Sequence, residues 1–194
     1  MKLLITGFEP FGGEGINPSW EAVRLLPEKI GVWELKKMQA PTVFGLAAEK
    51  TLQAAEAWKP HVILCVGQAG GRKAVTPEMV GINLRYAAQP DNAGLLPQDE
   101  PIVPNGPDAY FSTVPVRRMA DAILAAGYPG AVSYSAGAFV CNDLLYSLLH
   151  RFHGSPTQVG FLHVPFLPEQ GSPSLPLQDT VNALCAAIHA LSVP

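Results

Sequence analysis

Cys141 stands where an apolar segment ending near Tyr134 gives way to a helical pattern, within Ser135-Ala136-Gly137-Ala138-Phe139-Val140-Cys141-Asn142-Asp143. A helix N-terminus carries partial positive charge and unpaired N–H groups, and both favour a thiolate. Downstream, Phe161-Leu162-His163-Val164-Pro165 closes another apolar segment on a histidine. A thiol and an imidazole so placed are the parts of nucleophilic catalysis. Among the five histidines, His150 and His153 fall in the last turn of a helical pattern and His189 in a terminal one. His61 opens its strand, at the wrong end. Only His163 ends one. A carboxylate must orient the imidazole; Glu78, in Thr76-Pro77-Glu78 beside a glycine-rich turn, leads, with Asp91 and Asp143 as rivals. Cys65 lies inside an apolar strand pattern and Cys185 inside the terminal helix, so both read as packing residues.

The elements that must position these groups alternate. Apolar runs predict strands over 2–6, 32–39, 61–67, 80–84, 130–134 and 158–164. Residues spaced three or four apart predict helices from Pro18 to about Pro27, over 42–58, along Val116, Met119, Ala120, Ile123 and Leu124, over 142–152, and from Leu177 to Leu191. Asn17 and Pro18 read as the cap and first turn of the first helix. Residues 86–113, rich in Pro, Asn, Asp and Gly, read as a long functional loop. Strands alternating with helices predict an α/β fold, a mostly parallel twisted sheet with helices on both faces. Such sheets bind ligands beyond the carboxyl ends of their strands. Residues 8–13, the turn Gly67-Gln68-Ala69-Gly70-Gly71-Arg72, Cys141 and His163 should therefore share one rim. The turn matches neither a P-loop nor a dinucleotide fingerprint. Its glycines instead let backbone amides approach a substrate carbonyl.

Composition narrows the class. The chain has 194 residues, 48% hydrophobic and 15% charged, with a net charge of −3. One domain over residues 1–194 is the simplest organisation. No basic patch suggests nucleic acid, no apolar run suggests a membrane span, and no secretory leader is evident. Three widely spaced cysteines suit free thiols in the cytoplasm better than disulfides, and no Cys-x-x-Cys pair suggests a metal.

Several ordered motifs carry a resemblance that spans essentially the whole chain. They are residues 7–13, Asn17-Pro18-Ser19-Trp20, Pro41-Thr42-Val43-Phe44, residues 67–72, Thr76-Pro77-Glu78, residues 136–142, and His163-Val164-Pro165-Phe166 through Gln170. Together they resemble the pyroglutamyl peptidase I (pyrrolidone-carboxylate peptidase) family of cysteine peptidases. The resemblance implies an α/β/α sandwich that needs no metal or cofactor, often assembled as a dimer or tetramer. It implies removal of an N-terminal pyroglutamyl residue from peptides through a thioester. It places the nucleophile on Cys141, the base on His163 and the acid on Glu78. It also implies a substrate pocket from Phe8, Phe11, Thr42, Gln68, Phe139 and Val140, with oxyanion donors at Gly70, Gly71 and Cys141.

The chain departs from the family at two places. Ala138 replaces a threonine. Ala87-Ala88-Gln89-Pro90-Asp91-Asn92 puts Ala88 and Gln89 where the family has arginine and isoleucine, and Arg85 is the nearest substitute for that arginine beside Glu78. The departures leave a cysteine hydrolase of altered acyl specificity, or a noncatalytic small-molecule-binding relative, as alternatives.

Overall fold

In the computed structural model, which describes residues 1–191, β1 (Lys2–Phe8) leads through α1 (Pro18–Leu25) and β2 (Lys29–Ile30) to β3 (Trp33–Ala40). Then come α2 (Leu46–Trp58), β4 (Val62–Gln68), β5 (Thr76–Pro77), β6 (Val80–Ile82) and β7 (Ala109–Phe111). The chain continues through α3 (Val116–Ala125), α4 (Val140–Arg151), β8 (Gln158–Val164) and α5 (Leu177–His189). The last three residues of the expected domain, 192–194, lie outside the described residues.

The main sheet runs β2-β3-β1-β4-β8-β5. β3, β1, β4 and β8 are parallel, while β2 and β5 run antiparallel at the two edges. Side chains alternate across a strand, and the core divides accordingly. Leu3, Ile5, Val62, Leu64, Val66, Leu162 and Val164 pack with residues of α1, α3 and α5. Leu4, Phe8, Ile63, Cys65, Val159 and Phe161 pack with residues of α2 and α4 on the other face. The α/β/α layering is thus the expected one, and no helix among the described residues is long and apolar enough to cross a membrane.

Four local expectations change. The strand expected over 130–134 is reduced to isolated bridges, Gly130 to Val75 and Ser133 to Glu78. Its partner segment contains Pro77, which has no N–H to continue a ladder. The strand expected over 80–84 is β6, and it pairs with β7 in a separate two-stranded sheet. The long loop therefore ends in a strand. The helix expected from residue 42 starts at Leu46, because Gly45 takes φ 72° and breaks the turn before it. Finally, α4 begins at Val140 rather than Asn142, which puts Cys141 inside its first turn.

Candidate active site

The two-residue period of a strand fixes which face the candidate residues share. Gly67 follows Ile63 and Cys65 on the α2–α4 side, and His163 follows Val159 and Phe161 on that same side. The parallel register sets Gly67 directly opposite His163. α4 brings Cys141 down onto this spot: a Cβ built on Gly67 would lie 2.8 Å from Cys141 Sγ. Only glycine permits that approach. Thiol and imidazole thus share one face of the sheet beside one glycine, and both line the same cavity.

Glu78 completes the constellation from the edge. β5 pairs Thr76 with His163 and Pro77 with Leu162, and the Glu78 amide donates to the Phe161 carbonyl at 2.8 Å. The Glu78 side chain is fully buried, and His163 Nδ1 donates to its Oε1 at 2.7 Å. That bond fixes the tautomer: Nδ1 carries the proton and Nε2 is left free to accept one.

Arg72 is the residue that sequence reasoning missed. One of its guanidinium nitrogens donates to Glu78 Oε1 at 2.6 Å and also to Thr76 Oγ1; the other donates to the Ser135 carbonyl at 3.0 Å. It therefore joins the acid to the segment leading into Cys141. Arg85, expected there, pairs instead with Asp143 at 2.6 Å. An arginine closing a glycine-rich turn beside an orienting acid was the available signal. The rival carboxylates are otherwise engaged. Asp143 Oδ2 accepts from the Gly45 amide, and Asp91 accepts the amides of Phe44, Ala93 and Leu95.

Burial sets the resting protonation. It pushes the Cys141 thiol up to about 12, the Glu78 charge adding to it and Arg72 only partly opposing. Burial thus works against the thiolate that a helix N-terminus would favour. Burial also lowers His163, against the upward pull of its bond to Glu78. For Glu78, burial pushes up, but the bond and charge of His163, and then the charge of Arg72, outweigh it and hold the carboxyl below its ordinary range. Burial thus favours the neutral thiol and the neutral imidazole, while the partners of Glu78 favour its carboxylate.

A cavity of about 370 Å³ opens above these residues, lined among others by Phe8, Phe11, Asn17, Thr42, Gln68, Gly70, Arg72, Phe139, Cys141 and His163. Its aromatic wall is braced. Phe139 packs on Phe11 at 5.9 Å between ring centres and edge-on to Phe44 at 5.2 Å. The Phe8–Phe11 loop is held by its carbonyls. Asn17 Nδ2 and Thr42 Oγ1 donate to Glu9 O, and Asn92 Nδ2 to Pro10 O. Asn17, read from sequence only as a cap, does that work too, accepting from the Ser19 amide at 3.0 Å. Two expected residues stay out of the cavity. Val140 is fully buried in the core behind it, and Gly71 is exposed outside its lining. Ala88 and Gln89 are also exposed and outside the lining.

Phe139, the N-cap of α4, gives its helix no side-chain cap, and the first-turn amides, Cys141 among them, have no intrahelical acceptor. Gly70, packed beneath Phe166, lines the same cavity.

Comparison with known proteins agrees over the whole length. A family model described as pyroglutamyl peptidase matches residues 1–193. The pyrrolidone-carboxylate peptidase of Levilactobacillus brevis is 52% identical, covering 100% of this chain and 98% of the relative. That of Thermococcus onnurineus is 48% identical, covering 94% of each. The crystal structure of Bacillus amyloliquefaciens pyroglutamyl peptidase I superposes with a TM-score of 0.93 at 46% identity, covering 96% of this chain and 94% of that one.

Proposed function

The chain belongs to the pyroglutamyl peptidase family, and on that premise we propose that it is a cysteine peptidase removing N-terminal pyroglutamate from peptides, with Cys141 as nucleophile, His163 as base and Glu78 as orienting acid. The observation that carries this reading is the convergence of Cys141 over Gly67 with the His163–Glu78 pair at 2.7 Å, on the floor of an aromatic cavity. Pyroglutamate is a flat, uncharged lactam. Phe8, Phe11 and Phe139 offer it apolar surface, and Gln68 and Thr42 offer polar atoms.

With the lactam seated, the substrate carbonyl lies against Cys141. Because thiol and imidazole rest neutral, His163 Nε2 takes the thiol proton as sulfur attacks, rather than before. Glu78 stabilises the imidazolium that forms. The amides of Cys141 and Gly70 steady the oxyanion, each donor contributing about 3 kcal/mol. The imidazolium then protonates the leaving amine. A water, activated by the same nitrogen, hydrolyses the thioester and frees pyroglutamate. Altered acyl specificity is not favoured, since Ala88 and Gln89 lie outside the cavity lining.

Three free thiols suit a reducing compartment, so a cytoplasmic setting belongs to this proposal, as does assembly into a dimer or tetramer, measurable by light scattering. The deciding assay is hydrolysis of a pyroglutamyl aryl-amide. The enzyme should turn it over and accumulate a thiol-bound acyl adduct by mass spectrometry. Cys141→Ala or thiol alkylation should abolish turnover. A folded protein without turnover overturns the reading.

A further inference from the structure

The turns after β4 and β8 interlock, with Phe166 packed on Gly70 and Gln170 reaching Gln68. A side-chain amide has one accepting end and one donating end, and its surroundings decide which end points where. For Gln170 two backbone groups decide. Its Oε1 accepts the Leu167 amide at 3.1 Å, and its Nε2 faces the Ile16 carbonyl at 3.4 Å. The reverse orientation would set N–H against N–H and oxygen against oxygen. With that polarity fixed, Gln170 Nε2 donates to Gln68 Oε1 at 3.2 Å. Gln68 in turn can only place its oxygen toward Gln170. Its NH2 is then left, among the described residues, without a protein acceptor, on a residue that lines the cavity.

We infer that Gln170 is a specificity-determining positioning residue: through Gln68 it makes this wall of the cavity a hydrogen-bond donor, which selects a ring carbonyl, the 5-oxo group of a lactam, over a ring lacking an acceptor. The inference rests on the proposed peptidase reading and deepens it. Gln170 itself does not line the cavity. It acts on the ring, remote from the scissile bond, so ground and transition states feel it alike. Such uniform binding appears in KM and leaves kcat alone.

Gln170→Glu tests this with one atom. The carboxylate still accepts the Leu167 amide but can no longer donate to Gln68. Gln68 then turns its NH2 to the new carboxylate and its oxygen to the cavity, where it faces the lactam oxygen. KM for a pyroglutamyl aryl-amide should rise about 10-fold or more, the scale of a lost hydrogen bond, at constant kcat. In a Gln68→Leu background the same change should add nothing, because the amide it reorients is gone. A purely structural Gln170 would instead give additive losses. Thermal unfolding checks that each variant is folded. An unchanged KM, a fall in kcat alone, or additive losses overturn the inference. Titration of each protein with free 2-pyrrolidinone reads the same polarity without turnover, and Gln170→Glu should weaken binding by a similar factor. Absence of turnover in the unmodified enzyme overturns the peptidase reading, while the titration still decides the polarity of the wall.

Discussion

Glu78 and Asp143 are both fully buried carboxylates paired with an arginine at 2.6 Å, yet their remaining contacts differ. Asp143 divides its oxygens between Arg85 and the Gly45 amide, and both serve to tie α4 to its neighbours. Glu78 directs Oε1 to Arg72 and His163 together, while Oε2 has no hydrogen-bond partner among the described residues. A carboxylate whose oxygens are both committed to scaffold is finished structurally. One that shares an oxygen between a cation and an imidazole can follow a proton. The partners around a buried charge, more than burial itself, separate the proposed catalytic pair from the structural one.

The comparison is broken most severely at Glu78. Glu78→Gln keeps the shape and an oxygen that can still accept from Nδ1, but loses the charge that supports the imidazolium. kcat/KM for the pyroglutamyl amide should fall on the order of 10³-fold while thermal unfolding stays cooperative. A small loss would move Glu78 into the scaffold class with Asp143.

Arg72→Met should cost less, roughly 10- to 100-fold in kcat/KM, the range in which a misplaced catalytic group still works. It also carries a pH signature. The charges facing His163 are Glu78 from the edge and Arg72 from the turn, with the neutral Cys141 thiol above. Burial lowers His163 below its ordinary 6.5, and Arg72 lowers it further. Removing the guanidinium leaves the carboxylate unopposed, so His163 protonates at higher pH. The acid limb of the kcat/KM profile should move up in pH, and Arg72→Lys should restore it in part. An unmoved limb would make Arg72 a scaffold residue only.

Arg85→Met should have the smallest effect on turnover and the clearest effect on stability. It leaves Asp143 buried with one backbone partner, at a cost of about 3 kcal/mol in denaturant unfolding. The molecules that remain folded should show little change in kcat/KM. A large loss of turnover at unchanged stability would erase the distinction between the two pairs.

Most of the frame was legible because local patterns report it directly. The near-continuous apolar runs of β1 and β4 mark strands covered on both faces, and the two-residue period of a strand carries Ile63, Cys65 and Gly67 along one of them into the site. Asn17-Pro18 marked a helix start that is present. Less was legible where pairing is decided across the chain. The segment 130–134 has a strand's composition, but its partner contains Pro77 and the ladder stops. Arg72 and Arg85 are both near Glu78 in sequence. Gly71, at φ 83°, turns the chain so that Arg72 faces the acid, while Arg85 faces the first turn of α4.

The sequence alone determined the residue types able to do the chemistry, the strand–helix alternation, and the rim on which Cys141, His163 and Glu78 should meet, because side-chain chemistry and periodicity are properties of neighbouring residues. Only the tertiary structure decided which arginine holds Glu78, how burial opposes ionisation of the Cys141 thiol, and that Gln170 donates to Gln68. Those depend on desolvation and on hydrogen-bond partners brought from distant parts of the chain, and both exist only once the chain has folded.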